Sequence, residues 1–173
     1  MAATRRRAGG QVSPSELDVE RIEQSYNELP GALDDPENGD FAVASALLLR
    51  SARVITTRVD DVVAPLGLSV PKFEILALLF IAPKGEMTFA ELKRAMYMHP
   101  ATMGHTMRLL EADGFVRRRS HDVDRRAYVA ILTAKGKAIT AKGVEALRQM
   151  HFGCDGLSVA TARSLRAKLA DFG

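Results

Sequence analysis

The sequence has no tryptophan, one cysteine and only four histidines among its 173 residues. A single cysteine, Cys154, excludes an intramolecular disulfide and agrees with a reducing compartment. No two histidines stand at a convincing metal-ligand spacing, and the nearest candidate is the isolated pair His151 and Cys154. We therefore expect no disulfide-stabilised fold, no metal site and no cofactor.

Long apolar runs are also missing. The longest, at 75–82, is stopped by Pro83 and is too short to span a bilayer. The first residues lead into polar sequence, without the apolar stretch that a signal peptide requires. We expect a cytoplasmic protein with no membrane partner.

Sequence motifs of enzyme active sites are absent as well. There is no Gly-rich phosphate loop, no Gly-x-Ser-x-Gly turn and no pair of histidines, and the glycines near Gly39 lack a strand-to-helix context. We expect no catalytic residues, which disfavours a small hydrolase or transferase.

The composition is that of an ordinary globular protein. Apolar residues make up 47% and charged residues 26%, and the formal net charge is only +3. Because acids nearly balance bases, the position of the basic residues is more informative than their sum.

Hydrophobic periodicity predicts a mainly helical chain with one small β-hairpin. Thr88 and Glu91 form a capping-box pattern, Pro100 suits a first helical turn, and Thr133 and Ser158 suit N-caps. The predicted helices are 41–64, 71–81, 89–96, 100–113, 133–152 and one after 158, with strands at 115–119 and 127–132 and a short amphipathic segment at 15–29.

The block 88–132 carries the functional signal. A short helix, a tight turn and a second helix are followed at once by a basic hairpin, which is the order of a winged helix-turn-helix. In the second helix, Met103, Met107 and Leu110 are predicted to pack inward. The opposite side carries the small, polar and basic residues that a major-groove reader needs, namely Pro100, Ala101, Thr102, Gly104, His105, Arg108 and Ala112.

We expect Thr102, His105 and Arg108 to contact DNA in the major groove, while Ala101 and Gly104 permit close approach. The hairpin adds five arginines within ten residues. Of these, Arg125 and Arg126 are predicted at the wing tip for the minor groove and a phosphate, with Asp122 or Asp124 orienting an arginine, and Arg118 is predicted to contact a phosphate.

This block resembles the MarR family of bacterial regulators. The resemblance is carried by LLEADGFVRR at 109–118, DVDRRA at 122–127, LTAKG at 132–136 and Leu157-Ser158, and it extends over 41–172. It implies a homodimer held by the first and last helices, double-stranded DNA as partner, a palindromic operator and, in many members, a small aromatic or anionic effector.

We accordingly divide the chain into five segments. They are a disordered basic arm (1–14), an extra N-terminal helix and linker (15–40), a dimerisation helix (41–70), a DNA-binding lobe (71–132) and C-terminal dimerisation helices (133–173). The fold class is mainly α with a small β-hairpin wing, a winged helix-turn-helix flanked by dimerisation helices.

The extension before residue 40 is similar to the extra helix of the urate-responsive branch of this family. That branch uses a tryptophan there, for which Tyr26 is the nearest counterpart, and Glu74 stands where it carries an aspartate. An effector pocket would draw on Tyr26, Arg50, Arg53, Phe73 and Glu74. The charged members of this set are equally suited to salt bridges across a dimer.

Two other functions remain open from the residues alone. Cys154 allows a thiol-based redox-sensing regulator, provided that its thiol is accessible and acidified. A winged helix can also serve as a protein-interaction adaptor, although an adaptor would not need five wing arginines. DNA binding through phosphates weakens steeply with salt, and this distinguishes the two.

Overall fold

The computed structural model describes residues 21, 24, 36–120 and 128–170. The described residues form a mainly helical fold with a small antiparallel sheet, as predicted. In chain order the elements are α1 (Pro36–Val63), α2 (Val70–Ile81), β1 (Glu86–Thr88), α3 (Phe89–Met96), α4 (Pro100–Ala112), β2 (Val116–Ser120), β3 (Tyr128–Leu132), α5 (Ala134–Gln149) and α6 (Val159–Ala170), with short 3-10 turns at Ala64–Leu66, Pro83–Gly85 and His151–Gly153.

The chain divides into two compact units, residues 1–53 and 54–173. In the first unit, Phe41, Leu48 and Leu49 of α1 are exposed apolar side chains. The predicted arm 1–14 lies outside the described residues, as does the predicted segment 15–29 apart from Arg21 and Gln24, which are helical.

The core of the second unit is built around α2. Ile75, Leu76 and Leu79 are completely buried, because this helix is covered on more than one side. Side chains from the other elements close around it, namely Val63, Leu92, Met103, Met107, Leu110 and Leu147. Burial of each such side chain stabilises the fold by roughly 1.5–3 kcal/mol.

The sheet has three strands in the order β1-β3-β2, all antiparallel. The hairpin β2–β3 was predicted, but β1 was not. Its three residues are too few to show alternation, and only pairing of Glu86 with Ile131 and of Thr88 with Val129 makes the segment a strand. β2 therefore lies at an edge of the sheet.

The start of α5 is fixed against the turn that joins α4 to β2. The Thr133 hydroxyl accepts from the Gly136 N–H at 3.0 Å and donates toward the Gly114 carbonyl at 2.8 Å, which confirms the predicted cap. Gly136 lies so close that a Cβ there would be 2.1 Å from the Phe115 carbonyl oxygen. Only glycine fits at this contact.

The end of α5 differs from the prediction. The helix ends at Gln149 rather than near Phe152, because His151 (φ 49°), Phe152 (φ 56°) and Gly153 (φ 84°) all have left-handed backbone. Arg58 steadies this turn by donating to the Gly153 carbonyl at 3.0 Å and to Asp155 Oδ1 at 2.6 Å.

The last helix, α6, begins at the predicted cap, since the Ser158 hydroxyl accepts from the Thr161 N–H at 3.1 Å. None of its residues is buried within the chain. Within the described residues, no single helix is long and apolar enough to cross a membrane. Asn38–Leu66 taken together with Val70–Ile81 would qualify, by length and composition only.

Candidate nucleic-acid interface

The N-terminus of α4 is capped by a histidine that the sequence analysis did not assign. His99 has extended backbone, and its Nδ1 accepts a hydrogen bond from the Ala101 N–H at 3.3 Å. Pro100 follows at the first helical position, where no N–H is needed. The available signal was position, because a residue before proline avoids helical backbone and so favours a cap.

The two predicted faces of α4 are present in the structure. On the inner face, Met103, Met107 and Leu110 are each at most 1% exposed. Ala101, Thr102, His105, Arg108 and Ala112 are all exposed, as is Pro100. Exposed residues that are small, polar or basic therefore line the outer side of a helix whose inner side is anchored in the core.

Thr106 is a polar residue of α4 that the sequence analysis left unassigned. It is 5% exposed, and its hydroxyl donates to the Thr102 carbonyl at 2.9 Å, one turn earlier. This bond satisfies a buried hydroxyl without a partner from another element. Thr106 therefore belongs to the packed side of the helix.

Gly104 lies on the outer side, between Ala101 and Arg108 in the helical repeat. A Cβ at this position would meet only Arg108 Nη1, at 3.9 Å, which is ordinary van der Waals contact. The fold therefore does not require glycine here. Its effect is to leave a shallow place on the outer surface, over which the Arg108 side chain extends.

The turn before α4 is formed without glycine. Tyr97 ends α3 with left-handed backbone (φ 50°) and has a side chain that is 93% exposed. Lys93 and Arg94, in the last turn of α3, are exposed as well. None of the three was predicted as a site residue, and the sequence marks them only as a cluster of basic and aromatic side chains before the tight turn.

The wing strand β2 displays arginines on both of its faces. Arg117, Arg118 and Arg119 are exposed and pair in register with Ile131, Ala130 and Val129 of β3. Arg118 Nε forms an ion pair with Glu111 Oε2 of α4 at 2.8 Å, and Arg119 Nη2 lies 3.6 Å from Glu86 Oε2 of β1. Asp124, Arg125 and Arg126 lie outside the described residues.

The ion pair of Arg118 ties the wing to the second helix of the helix-turn-helix. It occupies the Nε–H of the guanidinium, which has five N–H donors in all. The group thus retains donors for a phosphate while its position is fixed by α4. Arg118 as a phosphate contact stays a prediction.

The end of α4 is held by polar contacts that converge on Asp113. Lys72 Nζ of α2 lies 2.8 Å from Asp113 Oδ2, and Lys135 Nζ donates to the Asp113 carbonyl at 2.7 Å. Lys135 also stands over the Phe115 ring, 4.9 Å from its centroid. Contacts from α2 and α5 therefore fix the orientation of α4.

The predicted pocket residues are placed as follows. Tyr26 lies outside the described residues, and in the first unit Arg50 is half-buried and Arg53 exposed. In the second unit Phe73 and Glu74 line a groove of about 580 Å³. Its other lining residues are apolar, namely Ala77, Leu78, Phe80, Ile81, Ala95, Met96, Val144 and Phe152.

Cys154 is half-buried and free. In the part of the chain that the structure describes, no group of three or more histidine, cysteine, aspartate or glutamate side chains is arranged to hold a metal ion.

The family model described as MarR family matches residues 68–128 of the chain. Among characterised proteins, the sequence is similar to the HTH-type transcriptional repressor Rv2887 of Mycobacterium tuberculosis. The two are 36% identical over 108 residues, which cover 62% of this chain and 76% of the repressor.

Solved structures of the same family have the same fold. Sco5413, a MarR family transcriptional regulator from Streptomyces coelicolor, superimposes with a TM-score of 0.67 at 25% identity, covering 73% of this chain and 88% of that one. The Rv2887 complex with p-aminosalicylic acid superimposes with a TM-score of 0.58 at 28% identity, covering 75% of this chain and 97% of that one. Sco3205 from Streptomyces coelicolor, in complex with DNA, superimposes with a TM-score of 0.64 at 22% identity, covering 74% of this chain and 82% of that one.

Proposed function

Because the chain belongs to the MarR family of transcription regulators, we propose that it is a repressor that binds a palindromic operator as a homodimer. The observation that carries the proposal is the outer side of α4. It is exposed, capped at its N-terminus by His99 and anchored in the core by Met103 and Met107. Named repressors among its relatives support this direction of regulation.

In this proposal α4 is the recognition helix. Thr102, His105 and Arg108 contact base edges, because their side chains carry hydrogen-bond donors and acceptors that match the major groove. Pro100 and Ala101 lie at the N-terminus of the helix, where the helix dipole favours a phosphate. The Ala101 N–H itself is occupied by His99.

The wing contacts the backbone and the minor groove. Arg118, fixed by Glu111, contacts a phosphate, and Arg125 and Arg126 reach the narrow minor groove and a further phosphate, with Asp124 orienting one of them. The structure of Sco3205 in complex with DNA supports this assignment at the level of the fold.

The two chains of the homodimer are joined, in this proposal, by the first and last helices. The apolar side chains that each unit leaves exposed support it, namely Phe41, Leu48 and Leu49 in the first unit and Leu157, Val159, Leu165 and Leu169 in the second. Two recognition helices would then meet half-sites about 34 Å apart. Such a dimer would act in the cytoplasm and has no enzymatic step.

A small effector relieves repression in this proposal. The structure of Rv2887 with p-aminosalicylic acid supports small-molecule binding within the family. Phe73 and Glu74 line the apolar groove described above, so they are the proposed contacts, with Tyr26, Arg50 and Arg53 as the other members of the predicted pocket. The segment 15–40 resembles the extension of urate-responsive members, but the tryptophan of that branch is absent.

The test is binding to a labelled duplex taken from upstream of the protein's own gene, by fluorescence anisotropy, across a salt series and with excess nonspecific DNA. We expect specific binding that weakens steeply as salt rises, because phosphate contacts release counterions. Arg108→Ala should weaken specific binding by about 1–3 kcal/mol and relax base preference.

The matched control is Arg148→Ala, which removes an exposed arginine from α5, where it pairs only locally with Glu145 at 3.0 Å. It should bind like the parent protein. If Arg108→Ala and Arg148→Ala lose affinity equally, α4 is not the recognition helix. Selection of bound fragments from the whole genome extends the test to distant operators, and failure there as well would favour a protein-interaction adaptor.

A further inference from the structure

The groove of the second unit has apolar walls and one charged residue, and this combination limits the ligands that it can bind. One wall is a single side of α2, where Glu74, Ala77, Leu78 and Ile81 follow one another at helical spacing. The remaining walls come from the end of α3, from α5 and from the turn at His151–Gly153. At about 580 Å³ the groove has the size of ordinary small-molecule sites.

Phe73 lines the groove, and its ring contacts α5 at Gly143. A Cβ on Gly143 would be 2.6 Å from Phe73 Cε2, so the ring occupies the place of a missing side chain. This contact fixes the ring at one orientation. The groove is thus preformed on a rigid wall.

Glu74 is the single charged residue among those that line the groove in the described part of the chain. Its side chain is exposed at the mouth, yet the apolar walls desolvate its carboxyl and raise its pKa above the usual value. No hydrogen bond or ion pair to Glu74 is found among the described residues. Among the described residues, therefore, none is placed as a counter-ion to this carboxylate.

We propose that this groove binds a small apolar cation, a molecule with a flat hydrocarbon body and a protonated amine, and that Glu74 is its counter-ion. The hydrocarbon body contacts Phe73, Leu78 and Val144, and the ammonium group reaches the Glu74 carboxylate at the mouth. Charge complementarity decides the class of ligand: a carboxylate ligand would place two like charges together in apolar surroundings, whereas an ammonium donates charge-assisted hydrogen bonds.

The inference names the ligand class of the proposed effector site. It rests on the proposed function only for the consequence of binding, which is release of DNA. This class differs from the anionic one that the family resemblance implies, because Glu74 is the charged residue among the described residues that line this groove.

The test compares three naphthalenes that differ in one substituent: 1-naphthylmethylamine, 1-naphthalenemethanol and 1-naphthoate. Their fluorescence is measured directly on the full chain without DNA, and the absence of tryptophan leaves that signal unobscured. We expect the amine to bind about tenfold or more tightly than the alcohol, since hydrogen bonds to charged groups are the stronger kind. The carboxylate should bind most weakly.

Glu74→Gln should abolish the preference for the amine and leave the affinity of the alcohol nearly unchanged. Glu145→Gln, on the exposed side of α5, is the matched control and should keep the preference. Ala77→Phe fills the groove while Glu74 stays in place, and all three probes should lose affinity. Circular dichroism establishes that each variant is folded.

Four results would overturn the proposal: no binding of the amine, equal binding of amine and carboxylate, a preference that survives Glu74→Gln in a folded variant, or amine binding that survives Ala77→Phe. An amine affinity that falls as protein concentration rises would assign the groove to a second copy of the chain and overturn it too.

DNA binding is measured separately, so the two proposals fail separately. If the amine binds as expected and the chain binds no DNA, the ligand class stands and the proposed repressor function fails. If the chain binds its operator and the amine does not bind, the repressor function stands and the ligand class is wrong.

Discussion

Gly104 carries a prediction that separates stability from DNA binding. Nothing inside the chain excludes a methyl group there, and alanine is the better helix former by about 1 kcal/mol. We expect Gly104→Ala to raise the free energy of unfolding by roughly 0.5–1 kcal/mol. The same methyl group should weaken operator binding, because it fills the shallow place on the outer side of α4.

Urea unfolding and duplex anisotropy measure the two effects on one sample. Ala101→Gly is the reverse change one turn earlier on the same side, and it should lower stability without adding bulk toward DNA. A Gly104→Ala variant that binds the operator as well as the parent protein would show that close approach at this position is not needed.

Gly136 carries the opposite prediction, because here the fold itself requires glycine. A Cβ would be 2.1 Å from the Phe115 carbonyl oxygen and 2.8 Å from Leu132 Cδ1, and the Phe115 carbonyl, being backbone, has little room to yield. We expect Gly136→Ala to lower the free energy of unfolding by about 1–3 kcal/mol or more. Gly156→Ala is the control, since a Cβ there meets nothing within 4 Å. Equal stability of the two variants in urea unfolding would contradict the contact.

At the scale of elements, the capping box at the start of α3 gives a test with an internal control. The Glu91 N–H donates to the Thr88 hydroxyl at 3.2 Å, and Glu91 Oε2 accepts from the Thr88 N–H at 2.7 Å. Thr88→Ala should therefore cost about 1 kcal/mol in unfolding free energy. Ser69 also precedes a helix, but its side chain makes no capping bond. Ser69→Ala should cost much less, and a similar loss in both variants would show that side-chain hydrogen bonding is not the cause.

The long elements were predictable because their signals are local, although α1 begins at Pro36, within the predicted linker, and not at Phe41. The periodicity of α1 and α2, the cap at Thr133 and the break at Gly114 all lie within a few residues of the structure they determine. β1 and the turn at His151–Gly153 were not predictable in this way. The first exists only through pairing with β3, and the second holds two non-glycine residues in left-handed backbone against their intrinsic preference.

At the scale of the whole molecule, the faces of α4 could be predicted, but the contacts that orient it could not. Burial of Met103 and exposure of Arg108 follow from the helical repeat alone. The ion pairs of Arg118 with Glu111 and of Lys72 with Asp113 join distant parts of the chain, and no local pattern marks them. The groove at Glu74 likewise takes its walls from several elements, so its charge character emerges only in the folded chain.

The raised pKa of Glu74 predicts how stability changes with pH. A carboxyl whose folded pKa lies above its ordinary value of 4.5 retains its proton more readily when folded than when unfolded. The folded chain then binds more protons than the unfolded chain between the two pKa values. The contribution of this group to the free energy of unfolding therefore falls as pH rises from 4.5 to the folded pKa, and it stays low above it.

Glu74→Gln removes the ionisation. We expect the variant to gain stability over the parent protein across this window and to keep the gain at neutral pH, in urea unfolding at a series of pH values. The gain should be modest because the side chain is exposed to solvent on one side.

Glu145→Gln removes the same charge from an exposed position and should show no such gain. Saturation with the naphthylmethylamine should reduce the stability difference between Glu74→Gln and the parent protein, because the amine stabilises the ionised parent protein. A Glu74→Gln variant that loses stability as pH rises through this window, relative to the parent, would mean that the carboxylate already has a favourable partner in the folded chain.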